Sequence, residues 1–558
     1  MRHFTHKTFN KLRSLPWVLS VLIIAILAAS PLFFIYKEVQ QPTQEMWGFL
    51  AEEIENPDSP TGENDPSPLQ NYVTGSLIML AGVTVLTLII GVGCAWLVSA
   101  FRFRGRALLS VLLCLPMAIP TYVMAVMYNE LLMTSKYSLF IWVRENYSPA
   151  AAADFSIYWK FTLAILVLSF SFYPYVFIAA RMAFKSQSAA YLESSRVLGH
   201  GLGSTFLKIS LPLARPAIIA GLTLALLETM NEFGAMKILG IETLTTGIFS
   251  AWLDFDELNS AVRISAIMMV LIFIILLFER LLRGRRKYHT HRSSASEFHG
   301  LAPRKLTTAF IWTVCLGVSF VTFILPVAKL VQQAALALPD RDLQPYLDLV
   351  LSSSWLAVRA CFVIIIAAIL LAYTVRIIPK WWIHLSAKIS LLGYAIPGAI
   401  LGVVLLSVKG SLHHSADDLA QWIFHSTVTG LIIAYAIRFL AVGYNPIEAG
   451  FKKINPHLDE ASGSLGKSRL TTLFRIHLPL LRHSFLAAMV VLFVDVMKEL
   501  PLTLILGPSN NDTLATKTYG LFAAEERIPE GSIPALILVV TSLLGLLIIS
   551  TLLNKKRS

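Results

Sequence analysis

The chain of 558 residues is 56% hydrophobic and 14% charged, against roughly 45–50% apolar and about 25% charged in soluble domains, which excludes an ordinary soluble fold. Its formal net charge of +12 does not mark a nucleic-acid reader, because the basic residues flank apolar runs instead of gathering on one polar face. Cys94, Cys114, Cys315 and Cys361 lie inside apolar stretches with no Cys-x-x-Cys pair, so they read as small buried hydrophobes and imply neither disulfides nor a metal site.

The first apolar run, about 16–36, follows MRHFTHKTFNKLR and could pass for a signal peptide. It is too long for an h-region, and Pro31 follows its only small-residue cluster, so it reads as a retained span. At about 20 apolar residues per crossing, eleven further stretches qualify: 73–100, 107–129, 160–180, 213–240, 262–282, 307–330, 352–376, 385–408, 426–444, 481–506 and 532–553. The expected fold is an all-α membrane protein of about 12 transmembrane helices in two tandem six-helix halves. Residues 1–282 form the first half, 283–306 a basic cytoplasmic linker and 307–558 the second half.

Lys and Arg mark the cytoplasmic side of short loops. They cluster at the N-terminus, at Arg102, Arg104 and Arg106, at Arg181 and Lys185, over 280–287, at Arg376 and Lys380, at Lys452 and Lys453, and in the tail Lys555, Lys556 and Arg557. Both termini are therefore expected in the cytoplasm, with the chain multi-pass. The connection 37–72 carries eight acids against Lys37 and is expected to be a flexible outer loop. His289, His291 and His299 in the linker have no helical ligand spacing and read as solvated.

One cytoplasmic stretch occurs twice. ESSRVLGHGLGSTFLKISLP runs from Glu193 to Pro212, and EASGSLGKSRLTTLFRIHLP from Glu460 to Pro479. Glu193 and Glu460, Gly199 and Gly466, Ile209 and Ile476, Leu211 and Leu478, and Pro212 and Pro479 are all separated by 267 positions. Such self-similarity marks two equivalent halves. Upstream, Ala118-Ile119-Pro120 matches Ala395-Ile396-Pro397 at a separation of 277, so the first half holds ten extra residues, expected in the outer connection 130–159. Each copy reads as a short helix, a Gly allowing left-handed backbone, and an amphipathic piece closed by Leu-Pro. Leu192, Val197, Leu198, Leu458 and Leu465 offer apolar contacts, and Glu193 and Glu460 offer carboxylates.

This spacing resembles the "EAA" loop of type I ABC importer permeases, and the resemblance covers essentially the whole chain. It implies that Glu193, Gly199, Leu211 and Pro212, with Glu460, Gly466, Leu478 and Pro479, form two coupling elements, each docking on one ATPase subunit. It also implies a periplasmic or extracellular substrate-binding protein as partner, the lipid bilayer of a bacterial inner (plasma) membrane as surroundings, and no nucleic acid. Ser194-Ser195 and Ala461-Ser462 replace the usual pair of alanines but remain small. The chain has no G-x-x-x-x-G-K-[ST], nucleophile elbow or His-Glu-x-x-His. No catalytic residue, resident metal or cofactor is therefore expected; ATP and Mg belong to the partner subunits.

After each loop come two carboxylates at i and i+4: Glu228 and Glu232, then Asp495 and Glu499. Carboxylates near mid-bilayer cost about 2.5–3.5 kcal/mol each and should face a cavity or a partner. Two readings stand: the acids line a cation pathway, with transient metal contact, or they pair with Lys498, Lys237, Arg263 or backbone. Gly234 and Pro501 just beyond them are expected to break both helices. A finer resemblance is to the fused twelve-span ferric-iron permeases, through Ala118 to Tyr128, Ala395 to Leu406, Asn231-Glu232-Phe233-Gly234 and Thr245 to Phe249 with Ala251-Trp252. Thiamine permeases are similar, a polyamine permease is a further alternative, and an ion-gradient-driven secondary transporter is the alternative from another class. Only the ABC reading uses the repeated loop.

Overall fold

Inside a bilayer an apolar run satisfies its backbone as a helix, and the computed structural model is helical throughout. It describes residues 2–40, 45–52, 66–187, 199, 201–283, 302–338, 344–413, 427–507 and 512–554. Among these no strand occurs. Ten helices are long and apolar enough to cross a membrane. Two further pairs, Arg106–Ala118 with Thr121–Asn146 and Trp381–Ala395 with Gly398–Val408, pass the same test but bend by 93° and 104°; counted as one span each, they bring the total to twelve. In chain order, spans one to six are Leu15–Val39, Pro68–Ala100, the first bent pair, Pro149–Ser186, Leu202–Asn231 and Leu258–Arg283. Spans seven to twelve are Lys305–Ala337, Gln344–Ile377, the second bent pair, Val428–Phe451, Arg469–Lys498 and Ile528–Ile548.

Proline sets the two bends. Pro120 and Pro397 have no N–H and push the preceding residue out of the helical region. Ile119 accordingly has φ −89° and ψ 125°, and Ile396 has φ −84° and ψ 119°. Sequence reasoning drew spans three and nine straight through these prolines. The structure breaks both there and leaves backbone groups for side chains to satisfy.

The duplication extends to detail that the sequence pattern did not reveal. Phe206–Ser210 and Leu473–His477, 267 residues apart, are both π-helical turns. Thr243 with Thr246, and Thr513 with Thr516, form matching capping boxes. The next backbone N–H in each is held by a serine from the second span of its half: Leu244 N donates to Ser76 Oγ and Leu514 N to Ser353 Oγ, both at 2.9 Å. Asp256 and Glu526 then turn with φ of 54° and 52°.

The halves interleave. Trp17 in span one packs edge-on against Tyr373 of the second half at 5.1 Å, and its carbonyl accepts from Thr374 Oγ. Reciprocally, span seven lies on the first half: Ile311 and Cys315 join the core of spans two and four, and Tyr128 Oη donates to the Val321 carbonyl. Spans one and seven thus fasten each half to the other.

Two local expectations change. The outer connection 130–159, where the ten extra residues of the first half are expected, is helical: Thr121–Asn146 and Pro149–Ser186 meet at a short turn where Ser148 Oγ caps Ala151 N at 3.0 Å. Within 37–72, Glu45–Ala51 is a helix with Leu50 buried, while residues 41–44 and 53–65 lie outside the described residues. So do linker residues 284–301 and its three histidines. All four cysteines are free thiols, three buried and Cys114 half-buried.

Candidate functional site

A cavity of about 750 Å³ lies between the halves. At the end carrying the repeated loops it is lined by Arg106, Arg181 and Lys185; deeper in, Glu228, Glu232, Asp495 and Glu499 all reach it, with Asn231, Tyr394, Arg438 and Lys498. Both helices end where Gly234 and Pro501 lead one to expect: Leu211–Asn231 and Leu478–Lys498 stop, and Gly234–Leu239 and Pro501–Leu506 begin.

That break divides the four acids into two kinds. Glu232 Oε1 accepts from Ala235 N at 2.8 Å, and Oε2 accepts from Thr121 Oγ. Glu499 Oε2 accepts from Leu502 N at 3.1 Å and from Thr503 N and Oγ at 3.2 Å. Both carboxylates therefore cap the short helix that follows, where exposed N–H groups and the helix dipole favour negative charge. Arg438, 7% exposed, adds an ion pair to Glu499 at 3.8 Å. Glu228 instead caps no helix and accepts from Tyr394 Oη of the other half at 3.1 Å, and Asp495 occupies the equivalent place in the second half. The pathway reading fits Glu228 and Asp495 better, and the backbone-pairing reading fits Glu232 and Glu499. Lys237, offered as a partner by sequence, pairs with Asp254 at 3.5 Å, and Arg263 donates to Asn259 at 2.8 Å.

The polar groups freed at the two bends bind the opposite half. Lys498 Nζ donates to the Met117 carbonyl at 2.9 Å. Asn231, 267 residues before Lys498, accepts from Gly398 N at 2.8 Å and from Arg438 Nη1 at 3.0 Å. Each bent span is thus held by the broken end of the other half's fifth helix. Away from the loops, Phe233 and Tyr122 bound the cavity. Behind them Phe249 stacks on Phe233 at 3.6 Å, and Tyr519 lies 5.6 Å from Phe233 and 6.2 Å from Tyr122. Aromatic rings from both halves therefore close that end.

Of the loops, Glu193 lies outside the described residues. Gly199 and Gly466 have φ of 78° and 69°, the left-handed backbone that the sequence reading required of them. In the second copy His457–Ser464 is helical; Glu460 is 73% exposed and Leu465 75%, which leaves a carboxylate and an apolar contact available outside the membrane helices. Leu211-Pro212 and Leu478-Pro479 follow directly on the π-helical turns inside spans five and eleven, so both prolines lie within a continuous helix and not at its entrance.

The model of the family described as "Binding-protein-dependent transport system inner membrane component" matches residues 87–288 and again 309–557. The chain belongs to that family. This permease, a tandem type I ABC importer fold, is 24% identical over 465 residues to the Fe(3+)-transport system permease protein FbpB 2 of Haemophilus influenzae, covering 81% of this chain and 84% of the relative. It is also 28% identical over 222 residues to the sulfate transport system permease protein CysT of Escherichia coli, 39% of this chain and 71% of the relative. With the molybdenum transport system permease protein ModB of Escherichia coli it shares 31% over 161 residues, 29% of this chain and 67% of the relative.

Sequence reasoning about this permease missed Arg438, Tyr394 and Thr121. Arg438 was findable, since a lone arginine inside IIAYAIRFLAVGY faces the same intramembrane cost that singled out the acids. Tyr394 and Thr121 carried no such signal; their roles depend on which segment bends. Among the described residues no group of three or more His, Cys, Asp or Glu side chains gathers to hold a metal ion.

Proposed function

We propose that this permease is the membrane subunit of a ferric-iron importer, moving substrate from the periplasm to the cytoplasm by alternating access. ATP and Mg act on two partner ATPase subunits, one at each repeated loop, and a periplasmic binding protein delivers substrate to the opposite face. The carrying observation is that the ferric relative matches across both halves, 81% of this chain, whereas the sulfate and molybdenum relatives match 39% and 29%. Chemistry supports it: Glu228, Asp495 and Tyr394 offer oxygen donors to the cavity, the class a hard trivalent cation prefers. We assign Glu228 and Asp495 to the substrate pathway and Glu232 and Glu499 to its framework.

The oxyanion relatives and the basic residues Arg106, Arg181 and Lys185 favour a second reading, an oxyanion permease. Those three lie at the loop end, where the positive-inside bias accounts for cations without a substrate. The deciding experiment reconstitutes the permease with its ATPase and binding protein and compares ATP-driven uptake of labelled ferric iron, sulfate, thiamine and spermidine without an ion gradient. Ferric uptake alone is expected. Sulfate uptake would replace the substrate assignment, and gradient-driven uptake without ATP would replace the class.

A further inference from the structure

We infer that Asp459 is a positioning residue that locks the second repeated loop, and not the first, to the ends of spans eight, ten and eleven, so that the two loops transmit force unequally. This rests on the ATPase-coupling reading. Asp459 lies in the loop helix beside Glu460 and turns the other way. Its Oδ2 receives Arg376 Nε and Nη2, each at 2.7 Å, and its Oδ1 receives His477 at 2.6 Å. A carboxylate paired with arginine accepts only, so His477 Nε2 carries the proton.

Each partner is anchored in a different helix. Arg376 ends span eight and also donates to the carbonyls of Phe451 at 2.7 Å and Ile454 at 3.2 Å, which close span ten. His477, 0% exposed, lies in the π-helical turn of span eleven, between the rings of Tyr373 and Phe451 at 5.5 Å. One turn along the same loop-helix face, Ser462 Oγ bonds Thr472 Oγ at 2.6 Å. Charge-assisted bonds at both carboxylate oxygens make the loop and three helix ends one body, and span eleven carries Asp495 and Lys498 at its other end. The first half does not carry this triad in its sequence. Residues equivalent to Arg376, Asp459 and His477 are Ser99, Leu192 and Ser210; Leu192 lies outside the described residues, and the Ser210 carbonyl accepts from Gln187 Nε2 at 2.9 Å.

The test uses the complete complex of permease, ATPase and binding protein, reading assembly, ATP hydrolysis and labelled ferric uptake per assembled complex. Asp459→Asn should raise the ATP consumed per ion transported about tenfold, within the 5–150-fold range of coupling energies, with the ATPase still bound. Asp459→Glu should recover most of the coupling, and Ser210→Ala in the first half should leave it unchanged. If Asp459→Asn fails to assemble, His477→Ala, which spares the Arg376 pair, is expected to raise the ratio in the same sense. An unchanged ratio in the assembled variant, or uptake and hydrolysis falling together with abundance, overturns the lock. A wild-type complex without ATP-driven uptake overturns the coupling reading and the lock with it; a coupled wild type with an unaffected variant overturns the lock alone.

Discussion

Replacing each cavity acid by its amide separates the two kinds of carboxylate. Glu499→Gln keeps size but turns one acceptor oxygen into a donor. That group must then face either the Leu502 and Thr503 N–H groups or Arg438, all of them donors. Breaking a buried ion pair by neutralising one partner costs about 3–5 kcal/mol. Arg438 retains Asn231 Oδ1 at 3.0 Å and the Ile396 carbonyl at 3.4 Å, so the lower figure, about 3 kcal/mol, is the expectation. Against a total stability of about 5–15 kcal/mol, such a loss lowers membrane abundance visibly. Asp495→Asn caps no helix, and Lys498 keeps the Met117 carbonyl, so abundance should hold while ferric uptake falls. Membrane level by immunoblot, melting of the detergent-solubilised complex and uptake per molecule are measured for all four amides. The division into pathway and framework acids is wrong if Glu499→Gln melts like wild type, or if Asp495→Asn transports at the full rate.

Valine at Gly199 or Gly466 has room, since nothing lies within 4 Å of an added Cβ. It nonetheless meets a left-handed backbone costing roughly 1–2 kcal/mol, so insertion should persist while substrate-stimulated ATP hydrolysis is lost. Tyr394→Phe removes one bond between the halves, worth about 0.5–1.5 kcal/mol; a melting shift of a few degrees and slower uptake are expected, and an unchanged uptake rate counts against Glu228 as a pathway group. Tyr519→Ala unpacks two ring contacts of about 0.5–1.5 kcal/mol each and should give uptake, or ATP hydrolysis, that no longer needs the binding protein. Full dependence on that protein in the variant would show that the aromatic cluster does not close the far end.

The fold was legible because bilayer crossing imposes length and apolarity on one local stretch at a time. The breaks at Gly234 and Pro501 were legible for a similar reason, as each residue opposes helix continuation beside a charged group. The bends at Pro120 and Pro397 were marked just as plainly, yet the apolar runs 107–129 and 385–408 continue across them, and hydropathy ignores direction. Glu232 and Glu499 were recognised as costly, but their purpose depends on the short helices Gly234–Leu239 and Pro501–Leu506 turning their N–H groups back toward them. That is a three-dimensional relation that i, i+4 spacing does not encode. Arg438 stands outside the repeat that marks the acids, because the first half carries Ser171 at the matching place.

That mismatch indicates what fusing two halves into one chain permits. In a pair of identical subunits every cavity residue occurs twice, and a cation introduced on one side is introduced on both. Here Asn231 matches Lys498, Thr121 matches Gly398, and Ser171 matches Arg438, so each half solves the same backbone problem with different side chains. Asn231 accepts from an amide N–H released by the bend, while Lys498 donates to a carbonyl released by the other. Glu232 is steadied by a threonine and Glu499 by an arginine. A Cβ at Gly398 would sit 2.6 Å from Glu499 Oε1, so threonine at that position is incompatible with the carboxylate as placed, and the cation takes over its work. Two framework carboxylates thus stay fixed by unlike partners, leaving the matched pair Glu228 and Asp495 as the two acids that cap no helix, which is why the proposed cation pathway is assigned to them.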